Sequence, residues 1–517
     1  MEIFEPKYIF TLLLLATIVI ITFATQRYTR STVNFYVAGR SFGWLMNGSA
    51  IAGDYLSAAT FLGLAGLTFA FGYDGIFYTF CFSAGLTLLT VLVAGPLRRF
   101  GAYTVPDFLA QRFHSRSARL VAVIVVLAIS GFYAAPQILG AAAILKMFFG
   151  ASYQFGVIFT VVVMVFYVGV GGMKGTTINQ ALEIWIRFGA FIILFAIAVS
   201  AGYNYGKILD LLVSFQGAIP STAAITGTAV MHDGAAWEWT GGYLFKTLPS
   251  TISILFGLVF GTLGLPHILL RFYTNPSARE ARLSGLFAIG IASVFFFLAL
   301  YLGTVGRAVF VAGGLAEHIA TNFTTGGANM VIPTLAEALG GRWLLGIVVA
   351  GAFAAVFSNL SGLFIASTGA LGHDIYSHFI NQNATEVQKV RAARWSTVIC
   401  GVFYGILGLM VEKAAIGHLV GLAFCVAAST FAPIFVLGIW WRGMTEKGAI
   451  GGMLVGLIST MYFIFLPQFV PESMRFPVPG LWTVPLGFLA VYVFSKLDGK
   501  VPHDVNEFMV KVHSKEA

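Results

Sequence analysis

Asp54 stands inside the apolar run WLMNGSAIAGDYLSAATFLGLAGLTFAF, residues 44–71, and a carboxylate at bilayer depth persists only where something offsets its cost. It can attract a cation, take a proton, pair with a basic group or cap unwound backbone. A second constellation lies in GAFAAVFSNLSGLFIASTGALGHDIY, residues 351–376. There Ala355, Ser358 and Asn359 are related by i, i+3 and i+4, so a carbonyl, a hydroxyl and an amide oxygen share one helix face. Neutral oxygens opposite a stretch of freed carbonyls suit a small hard cation such as sodium, although Ser and Asn also serve as packing contacts between membrane helices. Glu183 and Arg187, at i and i+4, are expected to neutralise one another. Cys81, Cys400 and Cys425 have no metal-ligand spacing and are expected to be packing residues. No Walker A pattern points to ATP use, and no nucleophile–base cluster points to an enzyme.

The elements that must position these groups are membrane helices. Of the 517 residues 58% are hydrophobic and 10% charged, whereas a soluble chain carries roughly a quarter charged. Stretches near the ~20 residues that cross a bilayer as helix fall at about 8–25, 44–72, 76–97, 118–145, 155–172, 180–202, 247–270, 284–306, 344–371, 393–411, 414–440, 448–466 and 478–495. These are thirteen spans, the first a retained helix rather than a signal peptide. The net charge of +9 follows topology rather than a nucleic-acid partner. With the N terminus outside, groups such as Arg27, Arg30 and Arg40, Arg98 to Arg119, and Arg271 to Arg282 fall in cytoplasmic segments, which favours N-out and C-in. The long connections 203–246 and 307–343 are then extracellular, and the second carries an Asn-Phe-Thr sequon at Asn322. The tail after Leu497 is too short for a fused signalling domain.

Two spans read as discontinuous, one at Ala52-Gly53-Asp54-Tyr55-Leu56-Ser57 and one at Phe260-Gly261-Thr262-Leu263-Gly264-Leu265-Pro266-His267. Proline removes a donor and glycine permits unwinding, which frees carbonyls for a ligand. Breaks five helices apart are what two inverted five-helix repeats produce. The division expected is a first helix and connection over 1–43, repeats over 44–202 and 247–440 joined by 203–246, and two further helices with a short tail over 441–517.

These residues support a resemblance. The chain resembles the sodium/solute symporter family, and within it the cation/acetate (monocarboxylate) permease branch, over nearly its whole length. The resemblance rests on Ala38-Gly39-Arg40-Ser41, on residues 52–63 (AGDYLSAATFLG), and on Gly72-Tyr73-Asp74-Gly75. It rests further on residues 171–177 (GGMKGTT), residues 260–272 (FGTLGLPHILLRF) and Gly372-His373-Asp374-Ile375-Tyr376. It implies an all-α, LeuT-like core of two inverted repeats, preceded by one helix and followed by two. It also implies a sodium site between the second and ninth spans, made by the carbonyls of Gly53, Leu56 and Ala355 and the side chain of Ser358. Asn359 stands where relatives usually have Ser or Thr, and its amide oxygen can still coordinate. Thr177 stands where some members have an aspartate associated with an additional sodium, which argues for a single coupling cation. Arg40 matches an arginine near the cytoplasmic gate, and Asp54 and Ser57 take gating or coupling roles. Leu258, Thr262 and Pro266 align with solute positions, faced by Tyr133 and Gln137. A short carboxylate there would meet Thr262, Gln137 and a half-helix N terminus.

The expected function is secondary active transport: sodium- or proton-coupled symport of a small monocarboxylate such as acetate by alternating access. The setting would be a plasma membrane, a bacterial inner membrane in particular. The partners are a small solute, the coupling cation and the bilayer, with no nucleic acid and no cofactor beyond the ion. Other solutes (pyruvate, propionate, proline or another amino acid), a transporter-derived sensor module and a channel are the alternatives.

Overall fold

Long runs of Leu, Ile, Val, Phe and Ala leave the backbone only itself to bond to in hydrocarbon, and helix satisfies that demand within each segment. The computed structural model describes residues 5–72, 74–213, 218–222, 229–233, 247–313, 327–412 and 416–514. The principal helices are α1 (Pro6–Thr25), α2 (Trp44–Tyr55), α3 (Leu64–Phe71), α4 (Asp74–Leu89), α5 (Val105–Phe113), α6 (Arg116–Phe149), α7 (Tyr153–Ser200) and α8 (Leu248–Gly264). They continue as α9 (Pro266–Tyr273), α10 (Ala278–Val311), α11 (Val331–Thr368), α12 (Glu386–Met410), α13 (Ile416–Trp440), α14 (Glu446–Phe465), α15 (Gly480–Asp498) and α16 (Val505–His513). A wide-turn helix, Gly369–Ile380, prolongs α11. One antiparallel pair, Ala218–Thr222 with Ala229–Asp233, lies in the first long connection. Asn322 and Tyr73 lie outside the described residues.

Polar caps set the helix starts. Ser115 accepts from the amide of Ala118 and Ser277 from that of Glu280, while Thr385 and Gln388 cap each other reciprocally. Eleven helices among the described residues are long and apolar enough to cross a membrane; α2 and residues 59–71 add a twelfth, bent by 62° at its break. The expected spans 155–172 and 180–202 correspond to two helices that meet without a loop at a kink inside α7. Residues 173–179 are helical rather than a loop, and the discontinuity is a single glycine, Gly172, at φ 54° and ψ −160°. That conformation is essentially closed to residues with a Cβ.

Burial separates the helices into a centre and a periphery. The most apolar stretch of Ala328–Ile380 is 94% buried and that of α13 89%, against 28% for α1 and 39% for α15. The outer helices turn large apolar side chains outward, among them Leu12, Ile20 and Phe23 on α1 and Ile399, Val402 and Ile406 on α12. Such faces suit lipid. At the centre α2 packs on α7, α10 and α11, and α8 packs on α13. The second contact is close because Gly261 faces the backbone of Phe424; a Cβ there would lie 2.5 Å from the Phe424 carbonyl oxygen. Cys81, Cys400 and Cys425 are buried and unpaired.

Candidate functional site

The helix of α2 runs through Gly53 and Asp54 to Tyr55, so the first break is shorter and later than the expected 52–57. It falls at Leu56–Ser57. Its cause is where the amide hydrogens go. Leu56 still donates to Ala52 (2.9 Å), but Ser57 donates to Tyr55 (3.1 Å) and Thr60 to Ser57 (3.0 Å). The Ala58 amide leaves the helix to reach Gln137 Oε1 at 3.0 Å. The carbonyls of Gly53, Asp54 and Leu56 thereby lose their helical donors, and buried carbonyls need replacements.

Side chains from two other helices supply them. Arg187 of α7 donates through Nη2 to the Gly53 carbonyl at 2.5 Å and through Nη1 to that of Leu56. The same Nη2 lies 3.3 Å from Ser358 Oγ. Asn359 of α11 donates through Nδ2 to the Asp54 carbonyl at 2.5 Å. Three of the five expected cation ligands, Gly53, Leu56 and Ser358, therefore converge on one guanidinium. Asn359 joins them through its nitrogen, leaving its Oδ1 buried without a partner. Ala355 lies one turn before Ser358, fully buried in helix whose only non-helical residue is Gly341.

The expected Glu183–Arg187 pair makes no hydrogen bond and no ion-pair contact within 4 Å, although each charge still acts on the other. Both Glu183 oxygens and Arg187 Nε are buried without a hydrogen-bond partner, because the guanidinium turns to the freed carbonyls instead. Three arginines assigned to cytoplasmic segments, Arg112, Arg119 and Arg271, are also buried. Arg271 of α9 bonds Asp54 Oδ2 through Nε at 3.1 Å and Thr177 Oγ1 through Nη1 at 2.9 Å. Asp54 is thus paired, and the pair ties the helix of the first break to the short helix after the second. Its other oxygen, Oδ1, has no partner.

The second break is narrow. Leu265, at φ −72° and ψ 112°, separates α8 from α9, and Pro266 opens α9. Leu258, Thr262 and Pro266 on this side, and Tyr133 and Gln137 on α6, are all buried. The Tyr133 hydroxyl reaches Ser57 Oγ at 3.3 Å, joining α6 to the first break. Thr262 Oγ1 is engaged by Tyr55 (2.9 Å) and by the Leu258 carbonyl (3.1 Å). Gln137 Nε2 and both nitrogens of His267 are buried and unpaired, and the His267 ring lies 5.3 Å from that of Tyr133. Sequence reasoning passed over His267, Tyr55 and Gln180, whose Nε2 bonds the Ser358 carbonyl at 2.7 Å. The signal for His267 and Gln180 was present as polar residues in apolar runs.

Arg40 lies apart from both breaks. Its Nη2 reaches the Gly101 carbonyl at 2.5 Å. At the arginine-rich end of the helices, Arg119 bridges Asp107 (3.0 Å) and Asp374 (2.6 Å), and Thr104 also donates to Asp374. Burial works against the Asp107 charge, but His373, Gln111, Arg119 and the Tyr103 amide hold its carboxyl below the ordinary value. Asp107, His373 and His378 approach metal-ligating geometry; Arg119 at 3.3 Å from His378 Nδ1 already places a cation among them. A cavity of about 720 Å³ adjoins this cluster, lined by Tyr103, His114, Arg116, Arg119, His373 and His378 among others.

The profile of the sodium:solute symporter family matches residues 35–456. The uncharacterized symporter YwcA of Bacillus subtilis (strain 168) is 34% identical over 514 residues, covering 96% of each chain. A substrate-bound, outward-open Na+-coupled sialic acid symporter superposes with a TM-score of 0.75 at 14% identity, over 96% of this chain and 97% of its own. Mhp1, a nucleobase-cation-symport-1 family transporter in a closed conformation, superposes with a TM-score of 0.50 at 14% identity, over 92% of this chain and 98% of its own. At such identities these two structures show the shared LeuT-like fold. Broken helices at the centre of a membrane bundle, a profile spanning most of the chain and a full-length relative agree: the chain belongs to the sodium:solute symporter family, whose work is secondary active symport rather than catalysis.

Proposed function

We propose that this symporter couples sodium to the uptake of a small monocarboxylate, with acetate as the first solute to examine. The observation that carries the solute class is the set of unpaired buried groups beside the first break. Gln137 Nε2 is an unused donor, and the His267 ring brings at least one N–H in either charge state. A carboxylate entering between α6 and α9 would accept from both, with the N-terminal end of α9 adding a favourable dipole. The Phe424 ring, 5.6 Å from that of Tyr133, adds apolar surface that suits a short hydrocarbon end. Buried polar atoms without partners cost roughly 1–3 kcal/mol each, so a ligand that satisfies them gains what the protein alone does not recover.

The cation reading rests on the Gly53 and Leu56 carbonyls with Ser358 Oγ and the Asn359 amide oxygen, an all-oxygen set suited to sodium. Ala355 would add a carbonyl from the next turn of α11. Arg40, Asp54 and Ser57 would act in coupling: Ser57 through Tyr133, Asp54 through Arg271, and Arg40 at the arginine-rich end, which we place in the cytoplasm with the N terminus outside. The driving force would be the ion gradient plus membrane potential, about 2.3 kcal/mol per charge per 100 mV.

Labelled acetate uptake into proteoliposomes, under an inward sodium gradient, a proton gradient or neither, tests this directly. Sodium should drive accumulation above equilibrium, with pyruvate competing and proline not. Acetate that neither enters nor competes would remove the solute assignment, and a proton gradient acting alone would remove the ion.

A further inference from the structure

The sodium-symport reading leaves Arg187 unexplained, and this inference builds on that reading. Gln180, Glu183 and Arg187 lie at i, i+3 and i+7 on one face of α7, turned toward α2 and α11. Gln180 is fixed by the Ser358 carbonyl and by Ser361 Oγ at 3.0 Å. The guanidinium lies where the sodium ligands converge, on Gly53, Leu56 and Ser358. One turn back, both oxygens of Glu183 have no hydrogen-bond partner, nor does Arg187 Nε.

We propose that Arg187 is a tethered competitor of the coupling cation: its guanidinium and sodium alternate in the same cradle, and Glu183 receives the guanidinium when sodium enters. Each position satisfies a different half of the same inventory. With the guanidinium in the cradle, the carbonyls are served by charge-assisted hydrogen bonds and Glu183 goes unpaired. With it on Glu183, the carboxylate is paired at the i,i+4 distance that one helix turn permits, and the carbonyls are released to coordinate the metal ion. Sodium and guanidinium both carry one positive charge, so the cradle keeps its electrostatic character through the exchange. Two such cations cannot share it, because like charges at contact distance in a buried site repel strongly. The side chain thereby lowers apparent sodium affinity and assists release.

Gly53 fits this reading. A Cβ there would lie 3.0 Å from Ser358 Oγ and 2.6 Å from the Gln180 carbonyl oxygen. The bare backbone lets α7 approach closely enough for Arg187 to reach across.

The test uses the full chain in proteoliposomes, with radiosodium binding and sodium-dependent solute uptake as readouts. Glu183→Gln with Arg187→Gln removes both charges together, so no buried carboxylate is left to attract sodium by itself. If the guanidinium vacates the cradle about one-tenth of the time, its removal lowers the half-saturating sodium concentration about tenfold. Turnover should fall, because release loses its competitor. Arg187→Ala adds a chemical readout: free guanidinium ion should inhibit sodium binding competitively in this variant and leave the parent protein unaffected. Arg187→Lys keeps the charge without the planar fork, and should lower the half-saturating sodium concentration below that of the parent, which keeps the exchange testable if the neutral variants do not fold. Sodium dependence intact in the parent with half-saturation unchanged in every folded variant would overturn the exchange alone. Sodium binding and uptake absent from parent and variants alike would overturn the sodium-symport reading beneath it.

Discussion

Ser358 and Asp54 illustrate how differently two polar residues at the same depth depend on their surroundings. The Ser358 hydroxyl touches the guanidinium at 3.3 Å and its removal leaves no buried charge unpaired. Ser358→Ala should therefore raise the half-saturating sodium concentration while yielding nearly normal amounts of folded protein; uptake assays beside size-exclusion profiles measure both, and unchanged sodium affinity would remove Ser358 from the site. Asp54 is the carboxylate partner of buried Arg271. Asp54→Asn leaves that guanidinium without a counter-charge, a change that typically costs about 3–5 kcal/mol, and should lower the thermal midpoint in detergent sharply whether or not ligand is present. Asp54, Ser358 and Asn359 were legible in the sequence because polar atoms are conspicuous in apolar runs. The role of Arg187 was not, because a local i,i+4 rule offered Glu183 as partner, while the groups it bonds lie 131 and 171 residues away.

At the scale of the helices, glycine placement decides which pairs can close. Gly261→Ala would bring a methyl to 2.5 Å from the Phe424 carbonyl oxygen, whereas Gly189 has nothing within 4 Å of the corresponding point. Overpacking of this kind costs typically 1–3 kcal/mol. Gly261→Ala should therefore lower both thermal stability and transport, and Gly189→Ala should change neither; equal behaviour of the two variants would show that the α8–α13 approach does not limit the fold. The spans themselves were readable from hydropathy, and so were both breaks to within a few residues. The course of residues 173–179 was not, since Gly171, Gly172 and Lys174 read as a connection. In the structure only Gly172 departs from helical dihedrals, and Lys174 folds back over the Tyr28 ring at 3.7 Å. Where the helix ends within residues 52–57 was not legible, because it depends on Gln137 drawing the Ala58 amide out of the helix.

Across the whole molecule, Arg119 at the arginine-rich end bridges Asp107 and Asp374 and so ties α5 to the helix that prolongs α11. The C-terminal helix α16 covers the same end: Arg99 donates to the Val512 carbonyl at 3.0 Å and Arg112 stacks over Phe508 at 4.2 Å. Arg119→Gln would leave two carboxylates facing one another, and their repulsion should part α5 from the end of α11. A thiol reagent applied from that face should then label Ala110→Cys faster than in the parent background, and equal rates would show that the bridge does not hold the end closed. Positive-inside counting identified the charge at this end but not its burial, because three-dimensional pairing of Arg119 and Arg271 is invisible to a tally of loops. The hydrogen bonds at the first break also set a timetable for synthesis. The groups that complete it arrive 79, 131 and 305 residues apart in sequence. At about 5–20 residues per second, Asn359 leaves the ribosome roughly 15–60 s after Asp54. Throughout that interval the segment must hold other hydrogen bonds than its final ones, so the unwound centre of this carrier is a product of late assembly and not a shape with which the helix enters the bilayer.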